Sequence, residues 1–209
     1  MRDFGTASEL PKDKWARDMQ VLVDSFRSLS TGKSWSGMER NHLFLGSGKD
    51  FVRVTGISGA DDPADSRGFA LIDYNRDGAL DIALLNLSKP RVRLLKNNSV
   101  RKGNGHIAVR FVGGNRTAQP SKEYSSRDGY GASVELSLDD GTKIYREHRT
   151  EDGFMTQHTS TMVIGIGART VVSIKVRWPS GRVQSRQATD SGSLVTADER
   201  GVLSRSLYR

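Results

Sequence analysis

The segment Asp73-Tyr74-Asn75-Arg76-Asp77-Gly78-Ala79-Leu80-Asp81 carries oxygen-bearing side chains at its first, third, fifth and ninth positions. Ala79, at the seventh, offers a backbone carbonyl. Calcium is a hard cation that takes about 6–8 oxygen ligands, so alternating carboxylates and amides on a short loop suit it. Gly78 permits the sharp turn that would converge these ligands, and Leu80 is placed to anchor the loop in a core. Three carboxylates on nine residues repel one another unless a cation joins them. The pattern therefore predicts one Ca2+ held by Asp73, Asn75, Asp77, the Ala79 carbonyl and Asp81. It is not an EF-hand, which needs a bidentate Glu at position twelve; Leu84 stands there.

The flanks say what positions this loop. Gly68-Phe69-Ala70-Leu71-Ile72 and Ile82-Ala83-Leu84-Leu85-Asn86 are short, evenly apolar runs, which read as strands. Further strands are expected at 43–45, 51–55 and 92–95. A second β-rich stretch follows, with strands near 106–112, 132–138, 142–149, 161–166, 171–177, 182–188 and 194–197. Asp139-Asp140-Gly141 and Pro179-Ser180-Gly181 mark turns between them. Before all of these, Trp15, Met19, Leu22, Phe26 and Leu29 recur at helical spacing from Pro11 onward, predicting an amphipathic helix that ends near Gly32 and packs its stripe on the rest of the protein. The polar stretch Asn97 to Gly105 reads as a linker.

Other chemistry is weakly represented. Gly46-Ser47-Gly48-Lys49-Asp50 fails as a phosphate loop, because Leu43 and Asp50 replace the Gly and the Ser or Thr that the motif requires. His42, His106, His148 and His158 lack metal-ligand spacing. His148, between Glu147 and Arg149, reads as a surface residue, and His158 near Asp152 and Thr156 is the one candidate for a hydrolytic triad. Asp61, Asp62 and Asp65 form a second acidic cluster, either a solvated loop or a second cation site. Trp178 is either a structural aromatic closing a hairpin or a platform for a sugar ring.

Composition sets the bounds. The chain has 209 residues, 35% hydrophobic, with 22 glycines, which favours a turn-rich β protein. No cysteine is present, excluding disulfides and thiolate zinc sites. The formal net charge is +8. Its basic bias concentrates between Lys89 and Lys122, which predicts weak, salt-sensitive polyanion binding. No apolar run reaches the roughly 18 residues of a membrane helix. Residues Met1 to Leu10 are polar and do not form a signal peptide, so the chain is expected to stay inside the cell or to continue a longer exported one.

The calcium loop, with Arg40-Asn41-His42-Leu43-Phe44-Leu45, Gly46-Ser47-Gly48-Lys49-Asp50-Phe51 and Leu94-Leu95-Lys96-Asn97-Asn98, resembles FG-GAP (VCBS) repeats, which form β-propeller blades. The second half resembles the ASPIC/UnbV domain of the cartilage acidic protein family. The matching pieces are Ser126-Arg127-Asp128-Gly129-Tyr130-Gly131-Ala132-Ser133-Val134, Gly153-Phe154-Met155-Thr156-Gln157, Val163-Ile164-Gly165-Ile166-Gly167 and Val176-Arg177-Trp178-Pro179-Ser180-Gly181. The family's His-Phe-Gly-Leu-Gly stretch lacks its His and Phe here, and this chain is basic.

Together these give a mainly β expectation. An N-terminal helix and linker (1–36) precede an FG-GAP-type repeat, partial propeller blade or blades with the calcium loop (37–98). A C-terminal β-sandwich-like ASPIC/UnbV domain (105–198) and a tail (199–209) follow. The resemblance implies a calcium-binding, non-enzymatic module, secreted or on the cell surface, that binds a protein or glycan of a surface or matrix in adhesion or scaffolding. It also implies an incomplete repeat, part of a longer chain or an oligomer. The alternatives are a carbohydrate-binding module of a larger secreted protein, and a hydrolase built on His158.

Overall fold

The computed structural model describes residues 12–31, 39–99, 101–149, 153 and 156–209. The protein is mainly β, with an N-terminal helix and several sheets, none of them closed among the described residues. It divides into two compact units: Met1–Arg67 with Leu84–Arg93, and Gly68–Ala83 with Leu94–Arg209.

In the first unit, helix α1 (Lys12–Ser30) follows from the helical apolar spacing. Arg27 in its last turn complements the negative end of the helix dipole. The expectation that its stripe is covered is not met. Trp15, Met19, Leu22 and Phe26 remain 59%, 42%, 47% and 61% exposed. The side chain of Leu29, and Pro11 and Gly32 themselves, lie outside the described residues. Strands β1 (Phe44–Gly46) and β2 (Phe51–Arg53) form an antiparallel hairpin. Its turn, closed by the Ser47 N–H donating to the Asp50 carbonyl at 2.8 Å, is the stretch rejected above as a phosphate loop. A one-turn helix α2 (Thr55–Ser58) then ends on Gly59 in the left-handed region; the sequence extends the strand to residue 55 instead.

Strands β3 (Ser66–Ile72), β4 (Asp81–Asn86) and β5 (Val92–Leu95) make a three-stranded sheet. The candidate loop 73–80 connects β3 to β4.

The second unit holds the main core. One sheet runs β11-β10-β7-β8, from Val183–Thr189, Val171–Arg177, Ser133–Leu138 and Lys143–Glu147. The other runs β13-β12-β6-β9, from Leu203–Leu207, Ser193–Asp198, Gly105–Val112 and Thr161–Gly167. Alternate residues point inward, because side chains switch faces at each strand residue. Ile107, Val109, Val134, Leu136, Ile164, Ile174, Val176 and Val195, drawn from both sheets, form one buried cluster. Each such side chain contributes about 1.5–3 kcal/mol through burial, so a β-sandwich stands on this cluster. The β12–β6 pair is parallel, with Val195 opposite Val109; the other pairs in these two sheets are antiparallel.

Residues 199–209, expected as a tail, contain β13, which pairs antiparallel with β12. The turn at Glu199–Gly201, closed by the Gly201 N–H on the Asp198 carbonyl at 3.0 Å, is what brings the chain back. No helix among the described residues is long and apolar enough to cross a membrane.

Candidate metal centre

Every residue of the candidate loop lies in the second unit. Loop formation begins with backbone N–H groups that have no ladder partner once β3 ends. The Asp73 carboxylate takes two of them, accepting from Asp77 N–H at 3.1 Å and Gly78 N–H at 2.9 Å. Asp77 accepts from Ala79 N–H at 3.0 Å, and its other oxygen from the Asn75 amide at 2.8 Å. Asp81, fully buried, accepts from Tyr74 N–H at 3.2 Å and Asn97 N–H at 2.7 Å. Local polar side chains thus replace the missing ladder, as in other Asx-rich turns.

Two positions adopt positive φ, Arg76 at 56° and Gly78 at 88°. At Gly78 the need for glycine is double. A Cβ there would stand 1.9 Å from Nδ1 of His106, so the loop backbone rests directly on the imidazole. The His106 ring in turn meets the edge of Tyr208 at 5.8 Å. The Tyr208 hydroxyl is pushed up to about 12, first by burial and then by the charge and hydrogen bond of Asp73. The loop is therefore seated on the start of β6 and on the residue after β13.

Asn97 completes the arrangement. Its N–H binds Asp81 and its amide donates to the Leu80 carbonyl at 3.1 Å. The sequence assigns Asn97 to a linker; here it clamps the loop from behind. His106, Tyr208 and Asn97 were not legible as site residues, since none lies within the loop pattern.

Charge is the distinctive property. Asp73, Asp77 and Asp81 bring three carboxylates, and the nearest ion-pairing ammonium is Lys96, whose Nζ stands 3.8 Å from Asp77. Burial pushes the Asp77 carboxyl up, but the hydrogen bonds from Asn75 and Ala79, with the charges of Lys96 and His106, outweigh it and hold it below its ordinary value. No group of three or more His, Asp or Glu side chains among the described residues stands ready-formed to hold a metal ion. The donor set is nevertheless all oxygen, two of its carboxylates are buried, and its negative charge exceeds its positive partners. That chemistry fits a hard divalent cation. Asp73, Asn75, Asp77, Asp81 and the Ala79 carbonyl would hold it.

The second acidic cluster has a different character. Asp61 pairs with Arg40, Asp62 with Arg93 at 3.0 Å, and Asp65 with Arg67 at 2.8 Å. One guanidinium for each carboxylate leaves no charge excess to recruit a cation. His158 accepts the Leu71 N–H through Nδ1 at 3.2 Å, which binds residues 158–159 to β3 and occupies that nitrogen; Asp152 lies outside the described residues.

One surface assignment is corrected, and the choice between the two readings of Trp178 is decided. His148 is only 5% exposed, stacked 4.8 Å from both Phe111 and Tyr130, with Nε2 on the Asp128 carbonyl at 3.1 Å. Burial pushes its imidazole below the ordinary value, against the opposing pull of Asp128. Alternation along β8 does not reveal this, because His148 falls just after the strand. Trp178 is 4% exposed, donates to Gln184 at 2.9 Å and meets Phe111 edge-on. It closes the hairpin and is inaccessible to a sugar ring.

One buried group escaped the sequence entirely. The Glu199 carboxylate accepts Gly114 N–H at 2.7 Å, Ser125 N–H at 2.8 and 3.0 Å, Ser125 Oγ at 2.9 Å and Ser180 Oγ at 2.6 Å. It pins three distant segments to the end of β12. Burial pushes its carboxyl up, yet these donors prevail and hold it below the ordinary range.

Residues 122–203 match the family model described as ASPIC and UnbV. The match runs from just before Ser125 to the first residue of β13. It therefore covers the β11-β10-β7-β8 sheet, strands β9 and β12 of the other, and Glu199 with two of its partners, Ser125 and Ser180, while Gly114 and β6 lie outside it. No curated protein matches the chain. Of the ASPIC/UnbV-like pieces read from the sequence, Val163–Gly167 lies in β9 and Trp178–Gly181 in the β10–β11 turn. Gly129 is packed so closely that a Cβ would lie 2.8 Å from Phe111. Phe154 and Met155 fall outside the described residues.

Proposed function

We propose that the protein is a calcium-binding, non-enzymatic interaction module that works outside the cytoplasm, in adhesion or scaffolding, through a protein or glycan of a surface or matrix. The observation that carries the reading is the loop at Asp73–Asp81, where three carboxylates share nine residues and Asp77 is ion-paired with Lys96. When bound, Ca2+ would supply the missing positive charge and join β3, β4 and the sandwich-seated backbone into one unit. Asp73 and Asp81 already orient the backbone around them, Gly78 gives the close approach to His106, and Asn97 holds Asp81 in register.

The FG-GAP reading of residues 39–98 rests on the same loop and on the strand–loop–strand order around it. As an incomplete propeller blade, this part would be completed by a longer chain or by oligomerisation. Extracellular calcium modules commonly bind at about 10⁻⁴–10⁻³ M, an affinity that suits millimolar calcium outside a cell and leaves the site empty inside one. The basic stretch from Lys89 to Lys122 would add weak polyanion attraction, lessened where Arg93, Lys96 and Arg116 already face Asp62, Asp77 and Asp198. The carbohydrate-binding alternative loses Trp178 as its platform.

The test is capture of extracellular-matrix and cell-surface extracts by the immobilised chain, with calcium or with chelator, beside Asp77→Ala. Capture that needs calcium and disappears in Asp77→Ala is expected. Equal capture in chelator and in the variant would refute the calcium-dependent interaction.

A further inference from the structure

Tyr124 is covered by two guanidiniums, the Arg182 Cζ 4.5 Å and the Arg200 Cζ 4.7 Å from its ring centre. Cation–π attraction permits like charges to share one ring. Neither guanidinium forms an ion pair with a carboxylate among the described residues, and both residues are exposed.

The arrangement is built from below. Glu199 binds Ser125, the neighbour of Tyr124, and Ser180, two residues before Arg182, and it precedes Arg200 directly. The same carboxylate holds Gly114, where any Cβ would stand 2.2 Å from the Tyr124 ring, so the ring lies against bare backbone. Arg182 Nε is steadied by the Glu123 carbonyl at 3.3 Å, and its N–H by Ser180 Oγ at 3.4 Å. Both cations are thus brought to one ring by a buried hub.

The charges nearby set the strength. Asp198 is ion-paired with Arg116, accepts the Arg200 N–H at 2.9 Å and feels the Arg200 charge. Counting Arg116, Arg182 and Arg200 against Asp198 and the buried Glu199 leaves one net positive charge. A continuous polyanion needs a longer basic track than this. A single oxyanion group suits it, because a guanidinium fork pairs with sulfate, phosphate or carboxylate oxygens through two N–H donors.

The geometry points to an oxyanion-binding site at Arg182, Tyr124 and Arg200, taking a sulfate-ester or phosphate-ester group of a ligand. It is independent of the calcium loop. The probes are inorganic sulfate and inorganic phosphate, titrated into the full chain at ionic strength held constant with sodium chloride, and read by NMR of arginine Nε–H groups. Saturable shifts at Arg182 and Arg200 in the millimolar range are expected. Arg182→Gln and Arg200→Gln should each weaken binding about tenfold, the loss of one charge-assisted pair, while Arg146→Gln leaves it unchanged. A sulfated disaccharide and a nucleoside monophosphate then distinguish the source, by which of the two binds more tightly than its free anion. Shifts no larger than those caused by chloride, or wild-type affinity in both arginine variants with native spectra, would overturn the site.

Discussion

Replacing Glu199 tests the packing logic of the sandwich end. Glu199→Ala removes the acceptor of two backbone N–H groups, Gly114 and Ser125, and of two hydroxyls, Ser125 and Ser180. Hydroxyls can rotate toward other acceptors; backbone N–H groups cannot. A stranded buried donor costs about 1–3 kcal/mol, so the two amides give roughly 2–6 kcal/mol. Glu199→Gln keeps one acceptor oxygen but turns an NH2 toward donors, which predicts a smaller loss, about 2–3 kcal/mol. Acid should act in the same direction. The folded carboxyl titrates below the ordinary 4.5, so on lowering the pH the unfolded chain takes its proton first. The stabilisation is full above about 4.5 and is lost as the pH falls through the folded value. Urea unfolding at neutral pH measures the variants, with Glu147→Gln, at an exposed ion pair, as control. If Glu199→Ala unfolds at the same urea concentration as Glu147→Gln, the hub does not hold these segments and the reasoning fails.

Gly78→Ala should cost more than the usual glycine replacement, because the backbone at φ 88° is strained for any L side chain and the Cβ collides with His106. The left-handed strain alone is about 1–2 kcal/mol. Adding His106→Ala should recover the steric part and leave that remainder, read by thermal melting; no recovery would mean that loop and imidazole are not in contact. His148 predicts a second pH dependence. Its folded imidazole titrates below the ordinary 6.5, so the unfolded chain binds protons first as the pH drops below that value. Stability should be full above about 6.5 and fall as pH descends toward the folded value, and His148→Phe should flatten this slope. An unchanged slope would place the titration elsewhere.

Strand positions were legible because alternation and turn residues are local signals. Asp139-Asp140-Gly141 and Pro179-Ser180-Gly181 fall where hairpins turn, and each expected strand of the sandwich is present within a few residues. The spacing of Asp73, Asn75, Asp77 and Asp81 was equally local. What remained hidden depends on distance in the chain. The parallel pairing of β12 with β6 joins residues about 85 apart, as does Glu199 with Gly114. Nothing in the neighbourhood of Glu199 distinguishes it from a surface glutamate until Ser125 and Ser180 arrive. His148 looked solvated because Glu147 and Arg149 are; its burial comes from Phe111 and Tyr130. Asn97 meets the loop from 16 residues beyond Asp81, and Tyr208 from the far end of the chain. Strand β13 was missed because Ser204, Arg205 and Ser206 supply no apolar alternation.

Thermal melting in calcium, magnesium and chelator tests the calcium site most directly. For a dissociation constant of about 10⁻⁴–10⁻³ M, about 10 mM calcium adds roughly 1.4–2.7 kcal/mol to the native state. In a chain of this size that raises Tm by roughly 3–10 °C. Magnesium should give little, because it demands tight octahedral geometry and releases water reluctantly. Asp77→Ala should abolish most of the calcium effect, while Arg76→Ala, at an exposed loop position, keeps it. The same Tm in all three solutions, with Asp77→Ala melting like the unsubstituted chain, would contradict the calcium site.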